Sequence, residues 1–138
     1  MPESNLETAR RAYEHFVATG EPLEGAYHRD FVLDMSGFRG WPERQRYDGI
    51  EGLREFIGDW FETWEEGGEF DVAELRETDG KVLALIQLRG RAKESGVPVE
   101  MEISHLLAFR DGKVERLTAF ASHADGFDAA GIEGEKGS

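Results

Sequence analysis

An Asp-Gly pair at positions 111 and 112, set between the two alternating runs of VPVEMEISHLLAFRDGKVERLTAFASH (97–123), constrains this chain more than any other feature. A two-residue loop of this kind needs positive φ at both positions, which Asp tolerates and Gly adopts freely, so it closes a β-hairpin and sets its register. With Arg110 and Lys113 closing the turn, Phe109 is expected opposite Val114, Leu107 opposite Arg116 and His105 opposite Thr118. Ile103 then meets Phe120 and Met101 meets Ser122 on the same face of the pleat. That face is bulky and apolar and reads as core, with His105, Arg116, Thr118 and Ser122 as its polar members. The opposite face carries Leu106, Leu117, Ala119 and Ala121 among smaller and charged residues, and reads as an apolar strip available to a second copy of the chain.

The rest of the chain supplies cover for this hairpin. Ser4 followed by Glu7 is a capping-box pattern, and Leu6, Ala9, Tyr13, Phe16 and Val17 recur at helical spacing until Gly20 and Pro22. Phe31, Leu33 and Met35 share one face of a short strand, which turns Asp34 away from the core. Ser36 to Tyr47 is a loop with Phe38, Trp41 and Tyr47 among two glycines and a proline, so it reads either as a lid or as a plug for one end of the core. Asp48 with Glu51 repeats the capping pattern before the stripe Ile50, Leu53, Phe56, Ile57, Trp60, Phe61 and Trp64, which Gly67-Gly68 should end. Trp60 can serve as core, as pocket wall, or as both. From Glu69 the period changes to that of strands, with turns at Asp79-Gly80, Ser95-Gly96 and Asp111-Gly112, giving a four-stranded antiparallel meander. If Glu94 and Val97 close the middle turn, Arg91 pairs with Glu100, Arg89 with Glu102, and His105 faces Ile86. A single domain is expected over 1–132, with 133–138 as a flexible tail.

Charge and residue types narrow the function. Against 16 basic residues stand 29 acidic ones, and a net charge of −13 repels phosphate backbones and anionic head groups, so neither nucleic acid nor a membrane is an expected partner. With no cysteine and four histidines lacking HxH or HExxH spacing, no metal site, thiolate chemistry or cofactor is expected. The polar N-terminal stretch and the lack of an 18-residue apolar run lead to an expectation of a cytoplasmic protein.

The stretches YDGIEGLREFIGDWFETW (47–64), LIQLRGRAKESGVPVEMEISHLLAFRDGKVERL (85–117) and AFASHADGFDAAGI (119–132) carry a family resemblance. Together with the order helix, short strand, aromatic loop, aromatic helix and meander, they resemble the SnoaL-like, polyketide cyclase-like branch of the nuclear transport factor 2-like superfamily. The resemblance implies an α+β cone in which N-terminal helices pack on a curved, mixed or antiparallel sheet and enclose an apolar cavity. It also exposes two departures. Ketosteroid isomerase-like members hold a carboxylate base where this chain has Met35, and SnoaL-like members draw one from the last strand, where Phe120 and Ser122 stand. Asp34, one position from the first of these, is the remaining acidic candidate. His105 becomes the leading site residue, either as the polar anchor of a bound ligand or as a general base, against the alternative of a satisfied core histidine. Tyr13, Trp41, Tyr47, Trp60, Met101, Ile103, Thr118, Phe120 and Ser122 are the expected walls. The expected function is binding of a small, largely apolar molecule by a homodimeric pocket protein. The alternative is a cofactor-independent isomerase, cyclase or hydrolase using His105.

Overall fold

The computed structural model describes residues 4–38, 45–64 and 69–131. Helix α1 (Asn5–Thr19) starts where the Ser4 hydroxyl accepts from the Glu7 amide and ends at Gly20, whose left-handed backbone (φ 76°) lets its N–H reach the Phe16 carbonyl. A short 3-10 turn leads into β1 (Tyr27–Asp34), and β2 (Arg46–Asp48) folds back on it. Helix α2 (Gly49–Thr63) follows, without a side-chain cap, because the Asp48 carboxylate accepts from Arg46 Nε at 2.9 Å instead. It ends earlier than the glycine pair implied: Trp64 is already extended and bridges to Ala92. Gly67 and Gly68 lie outside the described residues.

Strands β3 (Glu69–Thr78), β4 (Lys81–Arg91), β5 (Pro98–Arg110) and β6 (Lys113–Phe120) form the meander read from the sequence, and helix α3 (His123–Ala130) closes the described chain. Asp79-Gly80 and Asp111-Gly112 both adopt the positive φ that a two-residue hairpin requires. The six strands order as β2-β1-β6-β5-β4-β3 in one mixed sheet, because β1 joins the open edge of β6 in parallel. The two long helices cover one face of this sheet. Ala9 of α1 and Leu53 and Trp60 of α2 share a core with Phe31, Leu33, Met35, Ile86, Ile103 and Leu107.

Two registers differ from expectation, with different consequences. The β4–β5 turn is longer than two residues, so Arg89 lies opposite Glu100 and Ala84 opposite His105. This slip is even, so every side chain keeps its face. The β5–β6 hairpin begins as expected, Phe109 opposite Val114, but Glu115 is an extra residue in the ladder, and Ala108 then faces Arg116 and His105 faces Ala119. This slip is odd and reverses the faces of β6. Leu117 and Ala119, expected outside, are buried in the main core at 7% and 2% exposure, whereas Arg116, Thr118 and Phe120 stand on the other side. The apolar strip that suggested a dimer interface is therefore mostly interior.

The outer face has its own cover. Phe127 of α3 packs with Leu83, Leu85 and Leu106, while Arg76 lies 5.1 Å over the Phe127 ring. Ser122 caps α3, accepting from the Asp125 amide at 3.1 Å. The wholly buried Ser104 hydroxyl donates to the Ser122 carbonyl at 2.7 Å, and His123 Nε2–H donates to the Ile86 carbonyl at 3.1 Å. Gly126 sits so close to Ser104 that a side chain there would collide with it. Ser122 is thus a helix cap and not a cavity wall.

Candidate functional site

A cavity lies inside the main core, between the two long helices and the sheet. Its volume is about 60 Å³. Its walls are nearly all apolar: Phe16 from α1, Leu53 and Trp60 from α2, Leu33 from β1, Ile103 from β5 and Ala119 from β6 are representative. Besides the Trp60 indole, the polar side chains in the wall are Tyr13, Tyr27 and His105.

The alternation of β5 brings His105 here: Ile103, His105 and Leu107 point to the helices, Ser104 and Leu106 to α3. Helix α1 brings Tyr13, one turn on from buried Ala9. The Tyr13 hydroxyl and His105 Nδ1 are 2.8 Å apart, the rings stack at 5.9 Å, and Phe70 of β3 lies 6.2 Å from the imidazole. Burial pushes the His105 pKa down to about 3, because a charged ring would lose its hydration without gaining a counter-ion. Burial also holds the Tyr13 pKa well above its usual value, with a contribution from Tyr27, whose own pKa is pushed up to about 12. At neutral pH the site is therefore an uncharged imidazole and two intact phenols.

The expected site residues divide. Tyr13, Trp60, Ile103 and His105 line the cavity. Met101 packs against the core without reaching it, and Tyr47, fully buried, serves as a plug: its hydroxyl donates to Asp59 at 3.0 Å and its ring meets Phe56 edge-on. Thr118 and Phe120 lie on the opposite face by the Glu115 bulge, and the Phe120 ring packs against Gly37. Trp41 lies outside the described residues, as does most of the loop read as a lid or plug. Asp34 points away from the cavity, as its strand phase required. Its carboxylate accepts from the Ser36 amide (2.9 Å), the Ser36 hydroxyl (2.6 Å) and the Arg116 guanidinium (2.6 Å). Burial alone would raise its pKa, but these bonds outweigh it and hold the carboxyl below its usual range. Arg116 is thereby the partner of an acid and not a ligand clamp. Met35 is part of the wall, Phe120 and Ser122 are not, and the described lining contains no acid.

Tyr27 and Phe70 were not singled out as wall residues, whereas Phe38, named among the loop aromatics, does line the cavity. Strand phase did not reveal Tyr27, because the β1–β6 register shifts between Tyr27 and Val32 and Arg29, on the same odd phase, is exposed. Among the described residues no group of three or more His, Asp or Glu could hold a metal ion, and no helix is long and apolar enough to cross a membrane.

No protein-family model and no curated protein matches this chain. Solved structures do. A nuclear transport factor 2-like protein of unknown function from Burkholderia pseudomallei K96243 superposes with a TM-score of 0.73 at 18% identity, over 93% of this chain and 98% of that one. TerC, crystallised with polyporic acid, gives 0.70 at 19% identity over 91% and 96%. A candidate SnoaL-like polyketide cyclase from Jannaschia sp. CCS1 gives 0.68 at 19% identity over 94% and 93%. These likenesses show the fold, the nuclear transport factor 2-like α+β cone seen also in a ketosteroid isomerase-like structure from Catenulispora acidiphila.

Proposed function

We infer that this chain, folded as a nuclear transport factor 2-like cone, is a pocket protein for a small, largely apolar molecule, with His105 as its polar anchor. The observation that supports the reading most is a cavity whose wall is hydrocarbon apart from a few polar groups, the composition typical of a small-molecule site. The fold supports it too, since TerC is a cone of similar shape that was crystallised with polyporic acid. A catalytic reading, an isomerase, cyclase or hydrolase with His105 as general base, rests on the same ring. It is weaker, because a pKa near 3 leaves on the order of one ring in ten thousand protonated at pH 7 and makes the free base a poor proton acceptor.

Toluene tests the reading, since it is a small ring with no polar group. Saturation-transfer NMR should show saturable binding, with a ligand-dependent rise in Tm. Ala119→Leu, which adds carbons to the wall, should reduce both effects several-fold while the chain stays folded. Absence of both effects in the unaltered protein would remove the pocket reading.

A further inference from the structure

Proton accounting in the cavity specifies what its occupant presents. The Tyr13 hydroxyl has one proton to donate, and its hydrogen-bond partner among the described residues is His105 Nδ1. If Nδ1 carried the ring proton, both groups would offer a hydrogen across the same 2.8 Å, or the phenol proton would be left without an acceptor in an apolar wall. With Tyr13 as the donor to Nδ1, the ring proton sits on Nε2. Neither Nε2 nor the Tyr27 hydroxyl has a hydrogen-bond partner among the described residues, although both side chains line the cavity. The sealed, unpartnered side-chain polar atom among those residues is the Trp64 indole nitrogen, so these two donors face open space and not packed atoms. Burial keeps both phenols protonated and the imidazole uncharged, so the wall offers donors but no cation to balance an anion.

We propose that the cavity takes the oxygen of a neutral carbonyl compound, a ketone, aldehyde or ester with an apolar body, on the two donors His105 Nε2–H and Tyr27 O–H, with Tyr13 as the positioning residue that sets the histidine tautomer. A carbonyl oxygen has two lone pairs and no proton, so it satisfies both donors. A hydroxyl also brings a proton, for which the acceptors left in this wall are the phenol oxygens of Tyr13 and Tyr27, and a carboxylate brings a charge that nothing here neutralises. The proposal rests on the pocket reading above, and the probes below separate the two.

Cyclohexanone, its hydrocarbon isostere methylenecyclohexane and cyclohexanecarboxylate are titrated against the full chain by ligand-detected NMR, and the carbonyl stretch of bound cyclohexanone is followed by infrared spectroscopy. Cyclohexanone should bind about tenfold more tightly than methylenecyclohexane, the carboxylate should not bind, and the stretch should move to lower frequency on binding. Tyr27→Phe should cost cyclohexanone about fivefold to tenfold, leave methylenecyclohexane unchanged and reverse part of the frequency shift. Nitrogen-15 NMR should report the Nε2–H tautomer of His105, and Tyr13→Phe should change it and weaken cyclohexanone alone. Equal binding of ketone and hydrocarbon, with no effect of Tyr27→Phe, would overturn the carbonyl assignment and leave the pocket intact. Binding of neither would overturn both, and an Nδ1–H tautomer in the unaltered protein would overturn the role given to Tyr13.

Discussion

His105 is the residue on which sequence and structure agree least expectedly. Its place on the core face followed from the alternation of β5 alone, yet its partner did not: Thr118 was expected across the hairpin, and the hydrogen-bond partner is Tyr13 on a helix far away in the chain. Strand alternation reports a residue's direction, but tertiary packing decides what waits there. The depressed pKa gives a measurable consequence. Between about pH 6.5 and pH 3 the unfolded chain binds a proton at this ring and the folded chain does not, so stability rises with pH across that window and falls on acidification. The contribution of this one group approaches about 1.4 kcal/mol per pH unit at its steepest. Urea unfolding curves of the native sequence and His105→Gln, taken from pH 7 down to pH 4.5, should therefore converge as pH falls. Parallel curves would mean that the buried ring titrates normally.

At the scale of elements, an inserted residue decided more than any motif. Asp111-Gly112 and the flanking pattern were read correctly up to Val114, and nothing in VERLTAF marks Glu115 as an extra residue: the Leu-Thr-Ala alternation suits either face. The β4–β5 error was harmless because it was even, and the β5–β6 error reversed Leu117, Thr118, Ala119 and Phe120 because it was odd. Helix α3 also hid the outcome, since it supplies to the outer sheet face the cover that the sequence reading assigned to a second chain. Truncation separates the two registers. Leu117→Ala should cost about 2 to 4 kcal/mol, as a buried leucine losing its packing does, and Thr118→Ala less than about 1 kcal/mol. Chemical denaturation of the two variants checks this, and the reverse order would restore the simple hairpin.

For the whole molecule, the layers were legible because each helix announces an apolar stripe and each strand an alternation, while the position of β1 was not. No local pattern says that Tyr27–Asp34 will lie parallel to β6, between it and β2. The cavity inherits this arrangement: Tyr27, Leu33 and Met35 form part of its wall, beside Leu117 and Ala119 from the far end of the sequence. Closing that seam joins the first third of the chain to the last, at a loop-closure cost that the short turns of β3 to β6 avoid. The meander should therefore assemble first and β1 dock last. In pulse-labelled hydrogen exchange during refolding, the amides of Ile86 and Ile103 should gain protection before that of Leu33, and simultaneous protection would contradict this order. Because β1 and β6 both contribute to that wall, a chain with β1 undocked has no enclosed space there at all.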